Sequence, residues 1–266
     1  MERHALFFDL DGTIMQDVNN LYPKSELMLK ELKKEGHLCF VATGRGFSNI
    51  PDSIKNILDG FVTLTGASCI YHDQVIFRHT FPKEYIDKIA ELSFSINAPM
   101  FLENDDRMDV LINDRSVLDK DVIDMRGFIT QERNTIEEYK TADVDYCKLD
   151  TRMWAKEKFE ELSLFKTKKM TGLDAGDGWY EISNGKIDKG TAIQELCKKI
   201  GQDIRRTICF GDSENDLGMF RVCGTSVAVA SAPDNVKEKA SIVLEGHNEE
   251  AVISVLKKLG LLKGAF

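Results

Sequence analysis

The chain carries two short clusters of acidic residues, each directly after a run of apolar residues. The first cluster reads Asp9-Leu10-Asp11-Gly12-Thr13 and follows the apolar run Ala5–Phe8. Two carboxylates two residues apart, on a chain that leaves a strand, can both project toward one point beyond the sheet edge. Asp9 is then a candidate nucleophile, and Asp11 is a candidate for proton exchange. The alternative is a simple turn, because Asp and Gly are common turn residues.

The second cluster reads Gly211-Asp212-Ser213-Glu214-Asn215-Asp216 and follows the apolar run Thr207–Phe210. Acids at the start of a helix can simply complement the helix dipole, with Asp212 or Ser213 as the cap. Carboxylate oxygens are also the ligands that Mg²⁺ takes in proteins. One acid of this cluster and two groups of the first cluster could therefore form a magnesium site.

Two further polar residues stand at the end of a strand or the start of a helix. Thr43 follows the apolar run Leu38–Ala42, and its hydroxyl with the N–H of Gly44 could hold a phosphoryl oxygen; a helix cap is the alternative. Lys189 stands at a helix start, where the dipole favours an anion. This unfavourable position suggests a specific role for the lysine, against the alternative of a solvated surface residue.

The apolar runs and the helical patterns between them predict the fold of the two ends of the chain. Short continuous apolar runs are typical of parallel strands that are covered on both faces. Helical periodicity covers Ser25–Lys34, Thr191–Ile200 and Glu249–Leu259. The strand–helix alternation predicts an α/β, doubly wound parallel sheet, whose ligands bind beyond the carboxyl ends of the strands.

The middle of the chain has a different pattern and predicts a smaller, inserted α+β domain. Two helix–strand–strand groups indicate a mostly antiparallel sheet. We expect a core of residues 1–82 and 186–266 and an insert of 83–185. The expected elements of the insert are helices over Lys83–Phe94, Ser116–Met125 and Met153–Leu164, and strands over Met100–Glu103, Asp109–Ile112, Asp145–Leu149, Thr167–Thr171 and Trp179–Ile182.

Composition excludes several classes of partner. The 266 residues contain 35 Lys+Arg and 44 Asp+Glu, a net charge of −9, without a basic stripe for a nucleic-acid backbone. No run approaches the roughly 18 apolar residues of a membrane span. The six cysteines are scattered without a CxxC pair, which predicts buried reduced thiols and a cytoplasmic protein.

The four motifs in this order resemble those of the haloacid dehalogenase superfamily. They are DLDGT, a threonine at a strand end, a lysine at a helix start and GDSEND. The strings VATGR and NGKIDKG, with the insert between them, look like the Cof-type phosphatases, whose insert is a type-two α+β cap over a Rossmann-like core. The resemblance covers both core segments by motif and the insert only by position, size and pattern.

The resemblance implies a catalytic role for Asp9 as nucleophile and Asp11 as general acid and base. It implies further that the phosphoryl group contacts Thr43, Gly44, Lys189 and Asn215. One departure is visible, because many relatives read Asn-Gly-Ala where this chain has Thr65-Gly66-Ala67. That change affects a polar contact near the mouth of the site and leaves the catalytic set intact.

The same resemblance implies Mg²⁺ as the cofactor. Its ligands would be Asp9, the backbone carbonyl of Asp11 and Asp212, with Asp216 supporting them. Arg45, at the core mouth, is a weaker candidate for a substrate contact. The expected partner is a small phosphorylated metabolite, such as a sugar phosphate or a phosphorylated cofactor. The motifs leave the oligomeric state open.

Two other functions remain open from the sequence. A sugar phosphomutase would use the same four motifs and return the phosphoryl group to a sugar instead of to water. A non-catalytic regulatory protein could share the fold, because fold does not dictate function. All the expected catalytic positions are filled, which favours a magnesium-dependent phosphatase with an aspartyl-phosphate intermediate.

Overall fold

The computed structural model describes residues 2–114, 129–140, 143–176, 178–246 and 249–263. They form two compact units, a core unit and an inserted unit. The core unit takes in the described residues of Met1–Arg45, Ile50–Phe77 and Asp188–Phe266, and the inserted unit those of Gly46–Asn49 and Arg78–Ile187. The chain passes between them a few residues from the predicted boundaries of 82 and 186. Residues 46–49 belong to the inserted unit, where the N–H of Ser48 donates to the carbonyl of Asp105 (2.7 Å).

The described strands and helices are numbered along the chain. The strands are β1 (Ala5–Phe8), β2 (Met15–Asp17), β3 (Asn20–Leu21), β4 (Leu38–Ala42), β5 (Gly60–Thr63), β6 (Ser68–Tyr71), β7 (Gln74–Arg78), β8 (Met100–Glu103), β9 (Met108–Leu111), β10 (Ile129–Arg133), β11 (Lys148–Arg152), β12 (Met170–Gly176), β13 (Trp179–Asn184), β14 (Thr207–Gly211), β15 (Thr225–Ala228) and β16 (Ile242–Val243). The α-helices are α1 (Pro23–Lys34), α2 (Asp52–Lys55), α3 (Lys83–Ser95), α4 (Ile136–Lys140), α5 (Lys156–Glu160), α6 (Ser163–Lys166), α7 (Lys189–Ile200), α8 (Leu217–Val222), α9 (Asp234–Lys237) and α10 (Glu249–Lys258).

The core unit contains an eight-stranded sheet in the order β16-β15-β14-β1-β4-β5-β6-β7. The strands from β16 to β5 are parallel, and β6 runs antiparallel to β5. The chain moves outward from β1 to β4 and β5, then returns to β14 and moves outward on the other side. The strand order therefore reverses between β1 and β14, the point at which open α/β sheets bind ligands. The predicted doubly wound parallel sheet is confirmed.

Strand β1 is fixed in the sheet by apolar packing on both faces. All four of its residues are buried. Successive side chains of a strand point to opposite faces. Phe7 stacks on Phe40 of β4 and Phe8 on Phe210 of β14, each pair with ring centroids 4.9 Å apart. The residue after β1, Asp9, is thus held at a defined point of the sheet edge.

The inserted unit is built on a six-stranded sheet in the order β10-β9-β8-β11-β13-β12. Its strands are antiparallel, except that β10 runs parallel to β9. One face of the sheet buries Met100, Leu102 and Leu149 against Ile86 and Ile89 of α3. This unit is the smaller α+β domain that the sequence predicted.

Several elements of the inserted unit differ from the sequence prediction. The helix predicted over 153–164 is divided into a 3-10 turn, α5 and α6, and the extended backbone of Leu162 (φ −63°, ψ 143°) separates α5 from α6. The predicted strand over 145–149 begins instead at Lys148. Strand β10 and helix α4 were missed, since both are mostly polar. The helix predicted over 116–125 lies outside the described residues.

Two further sequence predictions concern the state of the cysteines and the absence of a membrane-spanning segment. The six cysteines are free, and all except Cys223 are buried. Burial raises the pKa of the thiols of Cys147 and Cys197 to about 12, so they stay protonated near neutral pH. Within the described ranges, every helix is either too short or too polar to cross a membrane.

Gly66 offers a test of how the turn after β5 meets the start of α7. Its φ is +102°, and a Cβ atom there would lie 2.3 Å from the backbone oxygen of Asp188. A left-handed backbone costs an L residue about 1–2 kcal/mol. We expect Gly66→Ala to lower the free energy of unfolding by more than this, because the added Cβ atom also collides with Asp188. Chemical denaturation measures this loss.

Gly36→Ala is the matched control. Gly36 has a φ of +88°, but a Cβ atom there would have no atom of the described residues within 4 Å beyond its chain neighbours. Its substitution therefore carries the backbone cost alone. Equal losses of stability in the two variants would contradict the close approach at Gly66.

Candidate active site

The first and second acidic clusters meet because β1 and β14 are neighbours in the sheet. The N–H of Asp9 donates to the carbonyl of Phe210 (2.9 Å), which continues the pairing one residue past β1. Asp212 directly follows β14. A single ligand atom from each of Asp9, Asp212 and Asp216 lies within 4.8 Å of the others. We call these three residues the carboxylate cluster.

Lys189 joins two members of the carboxylate cluster. Its Nζ lies 2.6 Å from Oδ1 of Asp9 and 2.6 Å from Oδ1 of Asp216. The lysine is completely buried, as is Asp216, and Asp9 is 5% exposed. A capping box between Asp188 and Thr191 begins helix α7 and fixes Lys189 in its first turn. The lysine at a helix start is therefore explained by two acids that it contacts at close range.

The charges in this cluster do not balance. The cluster and Lys189 together hold three carboxyl groups and one ammonium group, which leaves two formal negative charges uncompensated when all three carboxyl groups are ionised. Burial raises the pKa of Asp9 well above its ordinary value; Lys189 opposes this shift, and Asp216 and Asp212 add to it. Burial alone would lower the pKa of Lys189, but Asp216 and Asp9 outweigh it and raise that pKa. Burial and then Asp216 raise the pKa of Asp212 to about 6.

Asp216 also shapes the loop that carries Asp212. Its Oδ2 accepts hydrogen bonds from the backbone N–H groups of Asp212 (2.8 Å) and Ser213 (3.0 Å). A Cβ atom at Gly211 would lie 2.4 Å from the Asp216 carboxylate, so only glycine fits there. One carboxylate thus contacts Lys189 with one oxygen and orients the loop with the other. The sequence assigned Asp216 only a supporting role and did not indicate this double contact.

The turn after Asp9 packs closely on Asp212. Gly12 has a φ of +75°, and a Cβ atom there would lie 2.5 Å from Oδ2 of Asp212. The carboxylate of Asp11 is exposed and contacts Arg45. Nε of Arg45 donates to its Oδ2 at 2.9 Å, and Nη2 of Arg45 donates to its Oδ1.

Thr43 lies at the end of β4 and is buried. Its Oγ1 accepts a hydrogen bond from the N–H of Arg45 (3.2 Å). Its backbone pairs on both sides, since its N–H donates to Val62 (2.9 Å) and its carbonyl accepts from Thr65 (3.0 Å). Thr43 and Gly44 therefore lie in the turn that directly follows β4.

Thr65 is an unusual residue for its backbone conformation. Its φ is +53°, a left-handed value that is rare for a β-branched side chain. Its buried Oγ1 has no hydrogen-bond partner among the described residues. Asparagine tolerates this conformation better than a β-branched residue does.

The structure brings some predicted site residues together and separates others. Asp9, Asp212, Asp216 and Lys189 form one contact group, whereas the Asp11 carboxylate is bound to Arg45. Asn215 lies on the second acidic loop, where its Oδ1 accepts from Oγ of Ser213 (3.1 Å). Sequence reasoning missed several residues that fix these positions. Glycines near the strand ends could have indicated close backbone contacts, and an Asp before a helix could have indicated a cap. These residues are Gly12, Gly66, Asp188 and Gly211.

The carboxylate cluster fits a hard divalent cation. Its donors are all carboxylate oxygens, the ligand type that Mg²⁺ prefers. Its two uncompensated negative charges equal the charge of one such ion. The residues that could hold it are Asp9 and Asp212, with Asp216 close by.

The whole chain resembles known proteins. The sequence model of the haloacid dehalogenase-like hydrolases matches residues 6–256. YkrA of Bacillus subtilis, which its name describes as a candidate phosphatase, is 27% identical over 99% of this chain and 100% of its own length. A phosphoglycolate phosphatase of Archaeoglobus fulgidus is 38% identical over 84 residues, which are 32% of this chain and 38% of that protein.

Solved structures share the fold of both units. The subclass IIB sugar phosphatase BT4131 matches 97% of this chain and 100% of its own with a TM-score of 0.82 and 22% identity. BT1666 of Bacteroides thetaiotaomicron, a phosphatase of the same superfamily, matches 97% of this chain and 96% of its own with a TM-score of 0.82 and 22% identity.

Lys189→Met tests the contribution of the buried ammonium group. The substitution nearly preserves the length of the side chain but leaves Asp9 and Asp216 buried without their cation. We expect the free energy of unfolding at neutral pH in metal-free buffer to fall by about 3 kcal/mol or more. Denaturant titration measures it.

Lys34→Met is the control, because Lys34 is 74% exposed and pairs with Glu31 on the surface of α1. Exposed pairs of this kind contribute at most about 1 kcal/mol. A Lys189→Met protein as stable as wild type would show that the cluster does not depend on this lysine.

Proposed function

The chain belongs to the haloacid dehalogenase-like hydrolases and is a phosphatase of that family, and on this premise we propose that it hydrolyses small phosphorylated metabolites through a phosphorylated Asp9. The observation that carries the proposal is the buried carboxylate of Asp9. It lies at the end of β1, 2.6 Å from Nζ of Lys189 and beside two further acids. A nucleophile and the cation that orients it are therefore already in contact.

We propose Mg²⁺ as the cofactor of this site. Asp9, Asp212 and the backbone carbonyl of Asp11 would hold it, with Asp216 supporting them. The bound ion would offset the repulsion between a carboxylate and a phosphate monoester, which otherwise opposes attack. The support for this assignment is the all-oxygen donor set and its two uncompensated negative charges.

The residues of the chain divide the reaction into two displacements. A carboxylate oxygen of Asp9 attacks phosphorus, the bond from phosphorus to the leaving oxygen breaks, and Asp11 gives that oxygen a proton. Water then attacks the aspartyl-phosphate, gives a proton to Asp11 and releases phosphate from Asp9. Lys189 keeps the Asp9 carboxylate oriented throughout.

The phosphoryl oxygens would contact the strand end beside Asp9. We assign this contact to the hydroxyl of Thr43, the N–H of Gly44 and the amide of Asn215. The hydroxyl of Thr43 already accepts from the N–H of Arg45, so its proton is free to point at a phosphoryl oxygen. This contact is independent of the organic part of the substrate.

The proposed substrates are sugar phosphates or phosphorylated cofactors. Similarity to the sugar phosphatase BT4131 supports the first class. YitU of Bacillus subtilis, a 5-amino-6-(5-phospho-D-ribitylamino)uracil phosphatase, is 23% identical over 96% of this chain. The substrate in its name is not a cofactor, but it carries a phosphorylated ribityl chain on a ring, as flavin mononucleotide does, which supports the second class. We assign recognition of the organic part to the inserted unit, because the four core motifs account only for the phosphoryl group. The free thiols are consistent with the proposed cytoplasmic location, where they would stay reduced.

A phosphate-release assay tests the function. The substrates are p-nitrophenyl phosphate and a panel of sugar and cofactor phosphates, each with Mg²⁺ or with a chelator. Wild type is expected to release phosphate only with Mg²⁺. Asp9→Asn is expected to lower the rate by about a thousandfold or more, because it removes the nucleophile.

Asp52→Asn is the matched control, since the side chain of Asp52 is 90% exposed on α2. It should keep the wild-type rate. Phosphate release that persists in Asp9→Asn, or that occurs equally in chelator, would overturn the proposed mechanism. The absence of release from every substrate would overturn the phosphatase function itself.

A further inference from the structure

Arg45 connects three segments of the core unit. It stands two residues after Thr43, and its carbonyl accepts from the N–H of Leu64 (3.0 Å), so its backbone is fixed beside the end of β4. Its guanidinium group extends to Asp11, on the turn after β1. The same group also reaches the tip of the β2–β3 hairpin, where Nη1 donates to the carbonyl of Val18 (2.8 Å).

The contact with Asp11 is a two-point contact. Nε and Nη2 of Arg45 donate to different oxygens of the same carboxylate. A planar guanidinium group matches a carboxylate in this geometry, which fixes the orientation of the carboxylate as well as its position. The side chain of Arg45 is only 16% exposed, whereas that of Asp11 is 56% exposed. The less exposed partner therefore orients the more exposed one.

The hairpin tip is itself held in place. Oδ1 of Asp17 accepts from the backbone N–H groups of Asn19 (2.9 Å) and Asn20 (3.0 Å), which closes the turn around Val18. The carbonyl of Val18 is thus a fixed acceptor for the third nitrogen of Arg45. All three guanidinium nitrogens have acceptors within the core unit, and Asp11 accepts from two of them.

We infer that Arg45 is a positioning residue that holds the carboxylate of Asp11 for proton transfer, and this inference rests on the proposed function. Among the described residues, Arg45 is the donor of the hydrogen bonds that the carboxylate of Asp11 accepts. An exposed carboxylate without Arg45 would sample several rotamers, and a proton donor must lie within hydrogen-bond reach of the leaving oxygen. The interaction therefore matters most when the leaving oxygen needs a proton.

The test compares leaving groups through kcat/KM, which reports the steps up to phosphoryl transfer to Asp9. An alkyl or sugar phosphate needs its leaving oxygen protonated, whereas p-nitrophenyl phosphate does not. We expect Arg45→Ala to lower kcat/KM for the alkyl or sugar phosphate by about 10- to 100-fold, within the range of general acid catalysis. For p-nitrophenyl phosphate the same variant should lose less than about threefold, because no proton is needed there.

A double-substitution cycle connects the effect to Asp11. In an Asp11→Asn background, Arg45→Ala should change kcat/KM for neither substrate. Arg45→Lys should recover part of the loss, since one ammonium group can contact one carboxylate oxygen but not grip both. Arg205→Ala is the control for loss of an arginine, because Arg205 is 87% exposed and pairs with Asp203 at the surface. It should behave as wild type.

The outcomes separate this inference from the proposed function. Equal losses for both substrates in Arg45→Ala would mean that Arg45 binds the phosphoryl group, which overturns the inference and leaves the phosphatase function intact. If Arg45→Ala lowered kcat/KM in the Asp11→Asn background as much as in the wild type, the inference would be overturned as well. A wild-type protein without activity on either substrate would overturn the proposed function.

Discussion

The structure of the site depends on one ammonium group that two buried carboxylates share. Lys189 contacts Asp9 and Asp216 at 2.6 Å each, although the three residues come from different parts of the chain. A buried charge is costly unless it is paired, so none of the three could keep this position alone. The interaction therefore couples the end of β1, the loop after β14 and the start of α7. Any movement of one segment would expose or isolate a charge in another.

The surrounding backbone is built so that these segments can approach. Strand β1 is fixed by aromatic stacking on both faces, and the two acidic loops leave neighbouring strands at the same edge. Glycine allows contacts that a Cβ atom would prevent, such as Gly12 against Asp212 and Gly66 against Asp188. The site therefore depends on the strand order and on glycine at the close contacts as much as on the acids themselves.

The sequence predicted the fold class well, because the strands and helices have local signals. It also selected the acids that follow β1 and β14 as site residues, and their catalytic roles stay predictions. A continuous apolar run marks a parallel strand, and an acid directly after it marks the strand end. The sequence did not predict that Lys189 contacts Asp216 or that Arg45 contacts Asp11. These partners are 27 and 34 positions apart, so no local pattern records the two pairs. Strand β10 was missed for a related reason, since its side chains are mostly polar and its pairing with β9 is distant.

Apart from the short segment of residues 46–49, the chain enters the inserted unit at Arg78 and leaves it at Ile187, and these two junctions differ in what they tolerate. The first lies at the end of β7, the last strand of the core sheet, which holds none of the proposed site residues. The second ends at Ile187, and the next two residues are the cap of α7 and Lys189 itself. During evolution, or in a domain exchange, residues could be added or removed at the first junction without moving the lysine. The second junction has no such freedom, because the inserted unit ends directly before the capping residue of the helix that carries Lys189.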